Sequence, residues 1–370
     1  MAHLPSAMAG RSVGENSMPE SVGPPLTDSS DTDWTEEQVD DDVEDDRDSA
    51  LGDEAASSTA SLSTSILEYR TIHGRRYHSL RGNTEYWGPN DEIQGNSEDL
   101  THHTLTLLFN HKILLAPIGS DPKKALDIGC GTGIWAIDFA DAYPLCEVIG
   151  TDISPTQPSW VPVNLRFEMD DCTAIPWTFA PSSFDLVHLR YLLGAIRDWD
   201  ALYAETFRVL RPGTGWAEAV EPSIHVRSDD GSVCEGDGSA LGEWGPLFEE
   251  ATRKYAGRQP TPSMRVVEDD ILITAFQRAG FVDVVRRTFK CPLTPFPRNP
   301  HLKDVGMYAR FAFEEGMEGF TLYLFTNVLG WTREQVTVYL SRVRRELRDR
   351  RISPYLLVQV VHGRKPGTAR

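Results

Sequence analysis

The sequence predicts an α/β fold built on a mostly parallel, seven-stranded sheet with helices on both faces. Between residues 121 and 222, short apolar runs alternate with runs of helical length and spacing. Such alternation is typical of a parallel sheet whose connecting helices cover both of its faces. The prediction rests on two further observations. A glycine-rich turn follows the first of these strands, and two more strand-like segments lie near the C-terminus.

Residues 1–64 are predicted to form a disordered acidic tail. They contain sixteen acidic and two basic side chains, and six of the acids lie in the run Asp40–Asp46. A segment with so little apolar surface and so much charge cannot bury a core of its own. The alternative is a specific acidic docking segment.

The remaining part, residues 65–370, is close to charge balance, because most of the net charge of −19 lies in the tail. Direct nucleic-acid binding is therefore not expected. The five cysteines are scattered and form no CxxC pair, which argues against a disulfide scaffold and fits a reducing compartment. We find no signal peptide and no run of about 18 apolar residues. We therefore expect an intracellular protein, cytoplasmic or nuclear, that does not enter a membrane.

Residues 65–120 are predicted to be a helical extension in front of the sheet. Apolar residues recur at helical spacing from Asp99 to Leu115, and Ser97 or Asp99 is the expected cap. Three aromatic residues, Tyr77, Tyr86 and Trp87, lie ahead of this helix. They are interpreted either as a lid over a ligand or as packing of the extension on the domain.

Residues 121–222 are predicted to form a core of five strands with two well-marked helices between them. The predicted strands are Lys124–Ile128, Glu147–Asp152, Leu165–Glu168, Phe184–His188 and Gly215–Val220, and the helices are Ile134–Ala142 and Asp198–Leu210.

Residues 223–370 are predicted to supply a helical cap and the last two strands. About sixty residues separate the fifth strand from the sixth, which exceeds an ordinary loop and indicates inserted helices. The predicted helices are 244–255, 269–279, 296–330 and 332–350, and the strands are 280–285 and 355–361.

The strongest chemical signal is the turn Gly129-Cys130-Gly131-Thr132-Gly133, between a predicted strand and a predicted helix. Glycine tolerates positive φ and lets a ligand approach the backbone, and the helix start offers free amide donors. A dinucleotide fingerprint would require glycine at position 134, which is Ile134 here. The spacing therefore favours a compact polar group over a pyrophosphate, and an NAD-dependent oxidoreductase is the disfavoured alternative.

Acidic residues follow the second and third strands. Asp152 ends the second strand, where an acid in such a sheet faces the ligand crevice and binds a ribose diol. Its alternative is a cap for the following segment. Asp170 and Asp171 follow the third strand, where a carboxylate is suited to an adenine amine or, alternatively, to an Asx turn.

The stretch 126–221 resembles a class I S-adenosylmethionine-dependent methyltransferase, which has a Rossmann-like fold. The resemblance rests on the acidic glycine turn 126–133, the strand 184–188 and the turn 208–213. Further segments resemble the fungal LaeA-like methyltransferases: 74–78, 89–92, 302–306 and 362–366. The matches cover about residues 66–367 and imply S-adenosylmethionine as the cofactor.

The resemblance implies a set of cofactor-binding residues: Asp127, Gly129, Cys130, Gly131, Gly133, Asp152, Ile153, Asp171, Cys172 and His188. In this reading, Asp127 organises the amino group of the cofactor's methionine part, and the glycines let the backbone pass beside it. Asp152 holds the ribose hydroxyls while Ile153 packs on the adenine. Asp171 accepts the adenine amine beside the amide of Cys172.

The catalytic residue is left open. His188, at the end of the fourth strand, is a candidate general base, with a packing role as the alternative. Glu218 and Glu221 are further candidates, but strand alternation places them on opposite faces, so at most one can face the site. No metal site is predicted.

Two functions remain open from the sequence. The first is an enzyme that methylates a small-molecule acceptor, in fungal secondary metabolism. The second is a nuclear, LaeA-like regulator that acts through a protein partner. In that case the acidic tail and the arginine-rich stretch 342–351 would be docking surfaces, whereas the arginines otherwise form a solvated face.

Overall fold

The computed structural model describes residues 69–78, 86–255 and 262–367. The predicted tail, residues 1–64, lies outside these ranges. The described strands are β1 (Arg70–Ile72), β2 (Arg75–Tyr77), β3 (Lys124–Ile128), β4 (Glu147–Asp152), β5 (Leu165–Met169), β6 (Leu186–Arg190), β7 (Trp216–Pro222), β8 (Val282–Pro292) and β9 (Tyr355–Arg364). The helices are α1 (Glu92–Leu108), α2 (Ile134–Ala142), α3 (Trp199–Val209), α4 (Ala240–Tyr255), α5 (Ile271–Ala279), α6 (Pro300–Tyr323) with a π-helical end (Leu324–Val328), and α7 (Arg333–Arg348).

The seven-stranded sheet confirms the predicted fold class. Its strand order is β5-β4-β3-β6-β7-β9-β8. The first five strands in this order are parallel, and β9 lies antiparallel between β7 and β8. The chain proceeds outward from β3 in both directions, so the strand order reverses between β3 and β6. A ligand crevice is expected at the carboxyl ends of strands beside such a reversal.

Alternating side chains of β3 build a core on each face of the sheet. Ala125 packs with Trp135 and Phe139 of α2, whereas Leu126 packs with residues of α3 and α5 on the opposite face. This alternation follows from the period of two in a strand. The central strands β3, β4 and β6 are buried along most of their length, as expected for a sheet covered on both faces, whereas the edge strands β5 and β8 carry exposed charged side chains.

The cap forms a third core, which contains an aromatic cluster. Trp244 and Phe248 of α4 pack against Phe313 of α6, Phe325 of the π-helical end and Tyr339 of α7. Helix α1 packs against α6. The Phe-rich segment 296–330 is therefore chiefly core.

The predicted bounds of α1 were wrong at both ends. The helix begins at Glu92, because the side chain of Asp91 caps it by accepting the N–H of Gln94 at 3.1 Å. It ends at Leu108, since Asn110 and His111 adopt φ of +55° and +63° and reverse the chain. The helix therefore carries Glu98 and His102 on one face, four residues apart.

The fourth strand of the sheet is also displaced from its predicted position. It spans Leu186–Arg190 rather than 184–188, and Phe184 forms only an isolated bridge with Leu210. The shift brings Arg190 to the carboxyl end of β6. Among the described helices, none combines the length and apolar character needed to cross a bilayer.

Candidate functional site

A cavity of about 1200 Å³ opens where the parallel strands end. Its wall combines the glycine turn after β3, the ends of β4 and β6, the segment after β5, and the first half of α1. Seven of the ten predicted cofactor residues line it: Gly129, Cys130, Gly131, Asp152, Ile153, Asp171 and Cys172. The fold therefore brings most of the predicted set to one place.

The glycine turn is held in a conformation that only glycine adopts readily. Gly129 has φ of +65° and Gly131 has φ of +57°. A Cβ on Gly129 would lie 2.5 Å from Cδ2 of Leu192, and one on Gly131 would lie 2.5 Å from Oε2 of Glu98. At both positions the positive φ strains any other residue, and an added Cβ would also require the end of the Leu192 or Glu98 side chain to move.

Gly133 lies outside the cavity lining and has a different reason to be glycine. A Cβ there would meet Cζ of Phe167 at 2.3 Å, and one on Gly150 would meet the same ring at 2.6 Å. Gly133 also begins α2 with φ of +80°. Packing of the Phe167 ring thus accounts for both glycines.

Asp152 lines the cavity and also caps the segment that follows β4, the alternative role that the sequence offered. Its Oδ2 accepts the N–H of Gly131 and its Oδ1 accepts the N–H of Ser154, both at 2.9 Å. Burial raises the pKa of this carboxyl to about 6. Each oxygen keeps a further lone pair, so the carboxylate can hold the turn and still accept hydrogen bonds from a ligand.

The segment after β5 lines the adjacent part of the cavity. Asp171 forms an Asx turn, because its Oδ1 accepts the N–H of Thr173 at 2.9 Å and the hydroxyl of the same residue at 2.7 Å. The carbonyl of Cys172 accepts the indole N–H of Trp177 at 2.9 Å. These contacts fix the segment, with Asp171 and Cys172 on the cavity wall.

The structure places Asp127 and His188 behind the wall, not on it. They are neighbours in register on β3 and β6, and the ring Nδ1–H of His188 donates to Oδ1 of Asp127 at 2.8 Å. The imidazole stacks on Trp135 with ring centroids 3.6 Å apart. Burial lowers the pKa of His188, so the ring is kept neutral. This pair therefore supports the sheet beneath the glycine turn.

Glu218 and Glu221 lie on opposite faces of β7, as predicted, and neither lines the cavity. Glu218 accepts the N–H groups of Leu115 and Ala116, at 2.8 and 2.5 Å. Glu221 accepts those of Leu192 and Leu193, at 2.8 and 3.0 Å. Burial raises the pKa of Glu218 to about 7 and that of Glu221 to about 8. Both carboxylates thus hold loops.

The loop held by Glu221 carries a strained tyrosine on the cavity wall. Tyr191 has φ of +58°, which costs a bulky residue roughly 1–3 kcal/mol. Its N–H donates to the carbonyl of Val220 at 3.0 Å, immediately before Glu221 grips the next two amides.

The aromatic residues ahead of α1 lie in different environments. Tyr86 lines the cavity, whereas Trp87 is buried and its indole N–H donates to the carbonyl of Gly194 at 3.1 Å. Burial raises the pKa of the Tyr86 phenol above its usual range. Tyr77 is also fully buried, so only Tyr86 of these three aromatic residues lines the cavity.

Sequence reasoning missed one chain of polar side chains. Nη1–H of Arg190 donates to Nδ1 of His102 at 3.0 Å, and Nε2 of His102 lies 2.9 Å from Oδ2 of Asp138. Because arginine can only donate, the proton of the imidazole is on Nε2 and is donated to Asp138. One signal for His102 was present in the sequence. This histidine lies one helical turn after Glu98, and therefore on the same face of α1 as a residue of the cavity wall.

The charges around the cavity suit a cationic ligand rich in hydrogen-bond donors. Eight carboxylic side chains and three arginines line it. A pyrophosphate would face this excess of negative charge, whereas a sulfonium nucleoside offers cationic groups, ribose hydroxyls and an adenine amine. The residues present therefore fit S-adenosylmethionine better than NAD.

Comparison with known proteins gives a consistent result. Residues 100–285 match a family model described as "Methyltransferase domain". The chain is 38% identical to "Methyltransferase pytC" of Aspergillus terreus, over 84% of this chain and 92% of that protein. It is 35% identical to "Secondary metabolism regulator LAE1" of Cochliobolus heterostrophus, over 80% and 94% of the two chains. It is 31% identical to "Protein-methionine methyltransferase laeA" of Emericella nidulans, over 81% and 77%.

Proposed function

The chain belongs to the S-adenosylmethionine-dependent methyltransferases, together with the fungal pytC and LaeA proteins, and from this we propose that it methylates a small-molecule acceptor of fungal secondary metabolism. The observation that carries the proposal is the convergence of the glycine turn, Asp152 and Asp171 on one cavity. When bound, S-adenosylmethionine supplies a methyl group that its sulfonium makes electrophilic.

The nucleoside end of the cofactor fits the side of the cavity formed by β4 and β5. Asp152 would accept the ribose hydroxyls, and Ile153 would pack on the base. Asp171 would accept the adenine amine. The bare backbone of Gly129 and Gly131 would pass beside the part of the cofactor that leads toward the sulfur.

The chain's contribution to the reaction is chiefly orientation and exclusion of water. Holding two reactants in line supplies about 7–11 kcal/mol of barrier reduction in well-oriented cases. His188 has a positioning role in this proposal, because its ring is buried between Trp135 and Asp127 and lies outside the lining. Tyr86 and Tyr191 are the phenols on the wall that could contact an acceptor.

The size of the cavity supports a small-molecule acceptor. Pockets for a single ligand commonly enclose roughly 300–1000 Å³. The cavity here, about 1200 Å³, has room for a cofactor and a second molecule of modest size. Tyr86, Tyr191 and Phe320 give the wall an aromatic character that suits an apolar or aromatic acceptor.

A regulatory role is the second candidate, and the names of two relatives favour it. LAE1 is named a secondary metabolism regulator, and one laeA protein is named a protein-methionine methyltransferase. In that case the acceptor is a side chain of a protein. The cofactor site would be the same, so only the acceptor distinguishes the two candidates.

The cofactor site is tested by calorimetry with S-adenosylmethionine, S-adenosylhomocysteine and NAD. The wild type should bind the first two, and Gly131→Ala should lose that binding. Gly231→Ala is the matched control, because Gly231 also has positive φ (+74°) but has open space around it and lies outside the lining. Absence of binding by the wild type would overturn the proposal.

The acceptor is tested with methyl-labelled cofactor in a fungal extract separated into small-molecule and protein fractions. Label in the small-molecule fraction, dependent on Gly131, supports the first function. Label confined to protein overturns it and favours the regulatory reading.

A further inference from the structure

Helix α1 places a carboxylate directly on the glycine turn. Oε2 of Glu98 lies 2.5 Å from the position that a Cβ on Gly131 would occupy, and Glu98 lines the cavity. Ser97 anchors the helix at this level by donating to the carbonyl of Ala312 at 2.9 Å. Gly95 permits the close approach, since its Cβ would lie 3.3 Å from Thr132. Glu98 is therefore held at the cavity surface by the packing of its helix.

The opposite flank of the turn carries a cation. Gly129 follows Ile128, which pairs in register with Leu189, so Arg190 lies beside Gly129. In the described part of the chain, the Arg190 guanidinium is hydrogen-bonded to the neutral ring of His102 and paired with no carboxylate. It has five N–H donors, of which His102 takes one. A positive group on a cavity wall is thus left with donors for an anion.

The other acids near the turn are already engaged. Asp127 is buried against His188, outside the lining. Asp152 accepts two backbone N–H groups, and Asp99 accepts the hydroxyl of Thr132 at 2.7 Å. Glu98 accepts the backbone N–H of Thr132 and the side-chain amide of Gln94, the latter at 3.3 Å, a long hydrogen bond. These two neutral donors leave Glu98 with lone pairs for a ligand, and Glu98 lines the cavity.

We propose that Glu98 and Arg190 form a clamp for the zwitterionic amino-acid end of the cofactor, with Glu98 on the ammonium and Arg190 on the carboxylate. Asp152 lies on the β4 side of the turn and Arg190 on the β6 side, so the nucleoside and the amino acid would occupy opposite sides. Both clamp residues depend on α1, because His102 of that helix holds Arg190. This inference rests on the proposed function, since it specifies how the same site binds its cofactor.

The clamp is tested by calorimetry with three ligands that differ at the amino-acid end. S-Adenosylhomocysteine has both charged groups, its decarboxylated analogue keeps only the ammonium, and 5′-methylthioadenosine has neither. Glu98→Gln should weaken binding of the first two by about ten- to a hundredfold and leave the third unchanged. Arg190→Gln should weaken the first alone, by a similar factor.

The unchanged affinity for 5′-methylthioadenosine shows that each variant is folded with an intact nucleoside site. If Arg190→Gln does not fold, Arg190→Lys replaces it and should weaken S-adenosylhomocysteine by a smaller factor, because lysine keeps the charge and loses the fork. Variants that bind all three ligands as the wild type does would overturn the clamp and leave the proposed function standing. A wild type that binds none of them would overturn the proposed function itself.

Discussion

The carboxylate of Glu221 accepts the backbone N–H of Leu192 at 2.8 Å, and the side chain of Leu192 is what bars a Cβ from Gly129. A residue buried in β7 therefore fixes the wall that faces the glycine turn. The same carboxylate accepts the N–H of Leu193, which leaves Tyr191 little freedom to relax its positive φ. Strain of this kind persists only where the surroundings enforce it.

Glu221→Gln should therefore loosen the cavity wall. The glutamine side chain keeps one acceptor oxygen, but its NH₂ group is turned toward the second backbone N–H, which is then left without an acceptor. A buried N–H without an acceptor costs about 1–3 kcal/mol of unfolding free energy. Glu218→Gln is the control outside the lining, because Glu218 holds residues 115–116. A single oxygen, Oε2, accepts both of those N–H groups, so glutamine can keep both hydrogen bonds through its one carbonyl oxygen. Urea unfolding should therefore show the larger loss for Glu221→Gln, and calorimetry should show weaker cofactor binding only for that variant. Equal affinities would contradict this reading.

Gly133→Ala tests whether this glycine serves packing. The variant should lose about 1–3 kcal/mol, from positive φ and from contact with the Phe167 ring. In a Phe167→Leu background the loss should shrink toward the backbone cost alone. Gly236→Ala measures that backbone cost, since Gly236 has φ of +78° and open space. A loss from Gly133→Ala that is the same in both backgrounds would exclude the packing explanation.

Much of the core could be predicted because its signals are local. The bounds of β3, α2 and β4 were predicted as found, since each apolar run is ended by the glycine turn or by polar residues. The start of α1 was missed because Gly95 and Asn96 have low helix propensity. Tertiary packing overrides that propensity, with Gln94 and Ser97 both buried.

The parts of the site that escaped prediction depend on register between strands and on packing between helices. Asp127 and His188 meet because β3 and β6 align them, and the pairing turns both toward Trp135. Arg190 reaches the cavity because β6 lies two residues further along the chain than predicted. Neither relationship is encoded in a local pattern, so the sequence predicted a crevice at the sheet edge, where the cavity lies, but not the side chains beneath it.

Stability should fall as pH rises from about 4.5 to about 8. Burial raises the folded-state pKa of Glu98 and Glu218 to about 7 and of Glu221 to about 8. A carboxyl whose pKa is higher in the folded state favours folding below its unfolded pKa, near 4.5, and this contribution is lost as pH rises through the folded pKa. His188 and His362 have lowered pKa values and act in the opposite direction, but only below about 6.5.

The measurement that isolates the carboxyls is the unfolding midpoint of the ligand-free protein between pH 6.5 and 8.5. The midpoint should decrease over this window. The slope should be smaller in Glu221→Gln, because glutamine cannot ionise. A midpoint that stays constant or rises would show that these carboxylates are better stabilised by their N–H donors than burial alone indicates.

His188→Phe separates a supporting role from a catalytic one. The phenyl ring preserves stacking on Trp135, but it leaves the buried carboxyl of Asp127 without its donor, which costs about 1–3 kcal/mol or more. A second change, Asp127→Leu, removes the unpaired group and should restore part of the unfolding free energy.

If His188 only supports the sheet, folded His188→Phe protein should keep most of its turnover, with an unchanged pH–rate profile. If His188 were the base, turnover should fall roughly a hundred- to ten-thousandfold while cofactor affinity holds. The ratio of turnover to bound cofactor therefore decides between the two roles, independently of the stability loss.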